Sequence, residues 1–291
     1  MKASLRLLLA VATLAMATVG AAGTADAASK ATYYLSLGDS AAAGLQPIGF
    51  GENHGYADQL LDLVRSEFNQ LRLVKLGCGG ETSESLISGT DSPCTYPSGS
   101  QLDEATNFLQ AHAGHVAFIT IDIGGNDAVF VGGCWDPETG VLDLECVQSK
   151  MPVIQSNLAY IIETLKGIAP GVPIAGMSYW DFFLGYWITG PDGQALAKTD
   201  EEAIESMNAG LVSTYQDEGA LVADVAGPDF FNAADFTDMV ITKKWGEVPV
   251  NVANDCAWTW FCAKPPHGPD IHPNTEGYGV IADAFAAVLP V

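Results

Sequence analysis

Ser40 follows Gly38-Asp39 and precedes the small residues Ala41, Ala42, Ala43 and Gly44, directly after an apolar run at 32–37. A serine in such a turn presents its hydroxyl and its own N–H together, and the start of a following helix favours negative charge developing there. Taken alone, the tripeptide fits a plain turn with Ser40 as a helix cap equally well. A hydroxyl becomes a strong nucleophile only when a base takes its proton, so a histidine must meet it from elsewhere in the chain. Five histidines are available. His54, His112 and His115 flank predicted helices, where surface or capping roles suffice, and His267 lies in a Pro/Gly-rich loop without evident support. His272 precedes Pro273-Asn274, which can start a final helix and hold the imidazole over a sheet edge.

Attack on an acyl carbon builds an oxyanion, which needs donors fixed in advance; losing one typically costs about 3–4 kcal/mol of transition-state stabilisation. Ser40 N–H is one candidate. Gly80, after Gly77-Cys78-Gly79, offers a main-chain N–H with no side chain in the way, and the Asn126 amide follows Asp122-Ile123-Gly124-Gly125. A turn beside a disulfide would also explain Gly80, and a turn residue tolerant of positive φ would explain Asn126.

These residues are far apart in sequence, so the fold must gather them. Apolar runs bounded by turn residues at 32–37, 71–76, 116–121, 172–177 and 220–225 predict buried parallel strands. Helical spacing occupies 56–67, 101–111, 153–168, 200–216 and 275–288. The alternation predicts right-handed crossovers and a three-layer α/β/α sandwich around a five-stranded, mainly parallel, flavodoxin-like sheet. Open sheets of this kind bind ligands beyond the carboxyl ends of their strands, which is where Ser40, Gly80 and Asn126 fall.

Four blocks together, Leu37-Gly38-Asp39-Ser40, Gly79-Gly80-Glu81-Thr82, Gly124-Gly125-Asn126-Asp127 and His272-Pro273-Asn274 with Gly277-Tyr278, resemble the SGNH/GDSL hydrolase family. The resemblance runs over 33–278 and is to its secreted, three-disulfide esterase and lipase type. It implies Ser40 as nucleophile, His272 as general base, and an oxyanion hole of Ser40 N–H, Gly80 N–H and the Asn126 side chain. Two positions depart from the family pattern. Ala41 stands where a leucine follows the serine, and Pro269 stands where an aspartate is expected three residues before the histidine. Asp270, two before, is the alternative partner for His272; otherwise a backbone carbonyl near Pro269 orients the ring and a Ser-His dyad operates.

Residues 1–27 read as an export signal: Lys2 and Arg6 precede an apolar run at 7–19, and Ala25-Asp26-Ala27 fits a small-x-small cleavage site. The remainder, 28–291, reads as a single domain with no later stretch long enough to span a membrane, and with no sign of an oligomer it is expected to be monomeric. Six cysteines behind such a leader imply an oxidising, extracellular setting and three disulfides. Pairing nearest neighbours in the sequence, Cys78 with Cys94, Cys134 with Cys146 and Cys256 with Cys262, staples three loops. No C-x-x-C spacing and no acidic ligand set implies a metal, and no cofactor is expected. A formal charge of −23 disfavours nucleic acid and anionic membrane surfaces as partners.

Aromatic residues at 179–187, with Trp258, Trp260 and Phe261, can line an acyl pocket or form a small core under long loops. Hydrolysis of apolar or lipid carboxylic esters is the leading expectation. Removal of acetyl groups from polysaccharide is the second, and a non-catalytic lipid or cell-wall binding module is the third.

Overall fold

Five parallel strands carry the molecule, and the computed structural model describes residues 31–47, 53–68 and 70–290. The expected export signal at 1–27 lies outside the described residues. In chain order the elements begin with β1 (Thr32–Gly38), the single helical turn α1 (Ser40–Ala43), α2 (Tyr56–Val64), β2 (Leu71–Lys75), α3 (Ser83–Ser88), α4 (Gln101–Ala111) and β3 (Val116–Asp122). They continue with α5 (Leu144–Ile168), β4 (Ile174–Met177), α6 (Pro191–Asp217), β5 (Leu221–Ala223), β6 (Met239–Thr242), β7 (Gly246–Pro249), α7 (Val250–Trp258) and α8 (Thr275–Val288).

The sheet order is β2-β1-β3-β4-β5, every neighbour parallel, as the apolar runs predict. Buried on both faces, β1 and β3 each end in five successive buried residues, the pattern of strands covered by helices above and below. On one side α2 packs against α8; on the other α4, α5 and α6 lie side by side, completing three layers. The order reverses between β1 and β3, so the crevice of this doubly wound sheet opens beside Ser40 and Asn126. No helix among the described residues is long and apolar enough to cross a membrane.

Two helices start earlier than the spacing predicts. The helix expected at 153–168 begins at Leu144, because the buried positions Val147, Met151, Ile154, Leu158 and Leu165 keep one stripe through Pro152, and Asp143 caps its first turn. The helix expected at 200–216 begins at Pro191, whose fixed φ suits a first helical turn. Helices α3 and α7 and the antiparallel β6–β7 hairpin have patterns too short to stand out in sequence. The three disulfides join Cys78 to Cys94, Cys134 to Cys146 and Cys256 to Cys262, the pairing expected from the loops they bracket.

Close packing of α6 on the sheet depends on Gly176 in β4, where an added Cβ would collide with the Tyr215 ring. Gly167 in α5 has nothing within 4 Å of an added Cβ. Gly176→Ala is therefore expected to lose about 1–3 kcal/mol through overpacking, and Gly167→Ala to gain up to about 1 kcal/mol of helix propensity, both read from urea unfolding. Equal effects of the two changes would contradict this packing.

A buried acidic cluster adds a pH dependence. Asp181, Asp200 and Asp255 are each at most 1% exposed, and each keeps a carboxylate oxygen with no donor. Thr259 and Gly185 lie near Asp255 and oppose its shift, but neither reaches hydrogen-bonding geometry with its carboxylate. Burial raises Asp181 well above the usual carboxylate range, Asp200 to about 7 and Asp255 to about 8. The folded protein thus holds protons that the unfolded chain releases above about pH 4, so stability falls as pH rises toward 8. Asp255→Asn should flatten the fall of Tm between pH 5 and pH 8 and raise Tm at pH 8; Tm curves parallel to wild type would contradict the assignment.

Candidate active site

The Ser40 turn is shaped by how closely the end of β1 passes the end of β3. Gly38 pairs with Asp122 across the sheet at φ +138°, and an added Cβ would collide with the Asp122 carbonyl oxygen. Beyond Gly38 the chain rises into α1. Asp39 caps it by accepting from Ala41 N–H at 3.0 Å, and Asp122 Oδ2 accepts from Ala42 N–H at 3.1 Å and Asp39 N–H at 3.2 Å. Tyr179 O–H donates to Asp39 Oδ2 at 2.6 Å, and Tyr56 O–H donates to Asp122 Oδ1 at 2.6 Å. Desolvation raises both carboxyls, and the neighbouring Asp39 charge pushes Asp122 higher still. Burial and the proximity of like charge disfavour ionisation of both carboxyls together, beneath a half-buried Ser40.

The second block is tied to this turn through side chains. Gln101 pairs with the Gly38 peptide, accepting its N–H at 2.7 Å and donating to its carbonyl at 3.0 Å, and also donates to Glu81 Oε2 at 3.3 Å. Cys78 N–H reaches Gly38 carbonyl at 3.1 Å, and Gly80 follows at φ +83°. A Cβ at Gly79 would come within 4.0 Å of Ser40 Cβ, so this loop runs directly beside the serine. Among the described residues neither Ser40 N–H nor Gly80 N–H is taken by a protein acceptor.

Asn126 opens a single π turn, Asn126–Phe130, after β3. Gly124 at φ +117° lets the chain pass under α5 and α6, where a Cβ would press Ile154 and Leu211 at 3.1 Å. The Asn126 amide donates one N–H to Glu81 carbonyl at 3.0 Å, leaving its second N–H for the crevice. Asp127 locks the same two blocks together by accepting from Ser83 N–H at 2.9 Å and from the Ser83 hydroxyl.

His272 sits in a strap held from both sides. Trp260 N–H donates to His272 carbonyl at 3.0 Å, Asn274 caps α8 and donates to Ala257 carbonyl at 2.7 Å, and Trp180 Nε1 donates to Ile271 carbonyl at 3.1 Å. The one-residue shift of the aspartate does not separate it from the ring: His272 Nδ1 lies 2.7 Å from Asp270 Oδ1, which also accepts His272 N–H at 2.9 Å. Half-burial raises Asp270, but its bonds and charge contact with His272 outweigh that and hold it below the ordinary carboxylate range. Because a carboxylate only accepts, Nδ1 carries the proton and Nε2 is left as the basic nitrogen.

Ser40, Gly80, Asn126 and His272 line one cavity of about 270 Å³ whose apolar wall includes Leu45, Phe130, Tyr179, Trp180, Phe182 and Ile271. No direct hydrogen bond joins Ser40 Oγ to the imidazole among the described residues, as is common before a substrate tightens such a site. The other histidines serve elsewhere. His112 stacks on Phe108 with centroids 4.1 Å apart, and His267 rests against Trp260. The aromatic segment divides its roles: Phe183 is core, whereas Tyr179, Trp180 and Phe182 are buried and still face the cavity. Sequence reading did not identify Asp39, Gln101, Phe130 or Ile271 as parts of the site. Asp39 was visible in its block, but its partner Asp122 follows only from strand register.

The chain matches the GDSL-like lipase/acylhydrolase family over residues 36–280. No curated protein matches it significantly by sequence. Its fold is similar to that of phospholipase A1 from Streptomyces albidoflavus NA297, at 15% identity and TM-score 0.52, covering 89% of this chain and 99% of that one. It is also similar to an extracellular lipase from Streptomyces rimosus, at 15% identity and TM-score 0.53, covering 88% and 99%, and to a lipase from a goat rumen metagenome, at 12% and 0.52, covering 88% and 96%. With a match across most of its length and this sheet order, the chain belongs to the GDSL-like lipase/acylhydrolase family and is a carboxylic ester hydrolase.

Proposed function

We propose that the enzyme cleaves apolar carboxylic esters through an acyl-enzyme on Ser40. Ser40 Oγ attacks the ester carbonyl carbon while its proton passes to His272 Nε2. The oxyanion is met by Ser40 N–H, Gly80 N–H and the free N–H of the Asn126 amide. His272 then gives its proton to the leaving alcohol, and the acyl group stays on Ser40. Water then attacks the acyl carbon while His272 Nε2 takes one of its protons; the resulting tetrahedral species collapses by breaking the bond to Ser40 Oγ, which takes the proton back from His272 as the carboxylic acid leaves. Asp270 keeps the imidazole in the tautomer that this sequence needs and stabilises its charged form.

The single observation that carries this reading is the common cavity of Ser40, Gly80, Asn126 and His272 with Asp270 bonded behind the ring. Its aromatic and aliphatic wall supports an apolar acyl ester over a sugar acetate, because a buried apolar wall rewards chain burial at about 25 cal/mol per Å². We further propose that residues 1–27 direct export and are removed, leaving 28–291 as one extracellular, monomeric domain. The three disulfides support an oxidising compartment.

Ser40→Ala and His272→Ala should each lower kcat on p-nitrophenyl esters by about 10⁴-fold or more with unchanged circular dichroism. Asp270→Asn should cost on the order of 10³-fold, because the ring loses the acceptor that sets its tautomer. Near-wild-type rates from Ser40→Ala would end the acyl-enzyme reading, and near-wild-type rates from Asp270→Asn alone would reduce the triad to a dyad. Asn126→Ala should lower kcat by about 10²–10³-fold with little change in KM, the signature of a donor used in the transition state. A change confined to KM would place Asn126 in ground-state binding instead.

A further inference from the structure

A separate cleft of about 290 Å³ lies between α6 and the segments that leave β4 and β5. It shares no lining residue with the reaction cavity. Part of its lining is aliphatic, with Ile204 and Val212 from α6 and Ala226 and Ala233 from the segment after β5. Three acidic residues join that lining: Glu201 and Glu205, one turn apart on α6, and Asp224, directly after β5.

These acids lack partners of opposite charge. Among the described residues no ion pair includes any of the three. Glu201 is only 8% exposed, and its carboxylate has no hydrogen-bond donor among the described residues. Burial, together with the charges of Glu205 and Glu202, pushes that carboxyl up to about 7, as befits an acid taken from water with nothing to neutralise it. Asp224 is fixed in place: its Oδ1 accepts from the Ser178 hydroxyl at 3.0 Å, and that hydroxyl accepts from Ala226 N–H at 3.0 Å. Lys198, one turn before Glu201, is turned elsewhere, with its Nζ 5.4 Å from the Trp187 ring centroid and 5.8 Å from that of Phe236. A desolvated carboxylate is costly until a positive charge faces it, and the cleft has room for one.

Two features select the kind of cation. Among the described residues, Glu201, Glu205 and Asp224 are not a set whose oxygens all lie within 4.8 Å of one another, whereas a hard metal ion gathers roughly six or more oxygens at about 2.3–2.6 Å. No aromatic ring lines the cleft, so the cage that quaternary ammonium groups favour is missing. A primary ammonium meets both conditions. Its three N–H donors can reach separate carboxylates, and an aliphatic chain behind it covers the apolar wall.

We propose that this cleft binds an aliphatic primary amine, with Glu201 as the buried anchor and the exposed Glu205 and Asp224 at its rim. Free diamines and polyamines carry this chemistry, and so does the lysine side chain of another protein. The site lies outside the catalytic machinery and stands or falls independently of the ester-hydrolase reading.

Isothermal titration calorimetry on the whole protein at pH 8 and low salt tests it with four probes: cadaverine, Nα-acetyl-lysine amide, pentyltrimethylammonium and calcium chloride. One or both of the primary amines should bind saturably at a single site. Cadaverine alone assigns a free amine, and binding of the lysine amide assigns a side chain. Glu201→Gln keeps the size and removes the charge, so it should weaken binding about tenfold or more. Asp224→Asn, at an exposed position, should weaken it as well, with both variants checked for an unchanged fold by circular dichroism. No saturable binding of either amine, or amine binding unchanged in either folded variant, would overturn the proposal. So would pentyltrimethylammonium binding as tightly as the amines, or calcium displacing them from the same site at lower concentration.

Discussion

The site rests on the crossing of two strand ends, where Gly38 gives up its side chain so that Asp122 can sit against it. That contact puts a carboxyl directly under the Ser40 turn, where it accepts main-chain N–H groups from Asp39 and Ala42 and fixes the direction in which the chain leaves the sheet. Asp39 faces it and is held in turn by Tyr179. Buried like charges at such a point would ordinarily destabilise the fold by about several kcal/mol, and main-chain and tyrosine donors to every oxygen of both carboxyls are what make the arrangement tolerable. Ser40 is therefore aimed by a rigid, buried network, not by contacts of its own.

From that point the constraint spreads sideways. Gln101 transmits the position of Gly38 to Glu81, Glu81 carbonyl holds Asn126, and Asp127 returns to Ser83 at the start of α3. The two proposed oxyanion loops are thus coupled to the serine turn and to each other by side chains that never touch a substrate. His272 alone comes from outside this network, on a strap pinned by Trp180, Trp260 and Asn274. The separation is chemically sensible. Donors for an oxyanion must be fixed to within a fraction of an ångström, whereas a base can shift toward the hydroxyl when a substrate arrives.

Much of this was legible in the sequence because it depends on residue type and order. The five apolar runs gave the strands, turn residues after three of them marked the crevice, and the brackets formed by cysteines matched the disulfides. The aspartate that orients His272 was open, since Asp270 is displaced by one position and only the path of the loop decides whether its carboxylate reaches Nδ1. Asp122 and Gln101 were not legible as site residues, because their role comes from register across strands and from a helix start more than 60 residues away from Ser40. The helix expected at 153–168 instead starts at Leu144, and its buried stripe runs through Pro152, a case of packing prevailing over local propensity.

Covalent capture reports most directly on the claim that four distant loops form one hydrolytic centre. After treatment with a fluorophosphonate and digestion, mass spectrometry should find a single adduct, on the peptide carrying Ser40, and its rate of formation should collapse when His272 is replaced by alanine. An adduct on another serine, or labelling of Ser40 at the same rate without His272, would contradict the account.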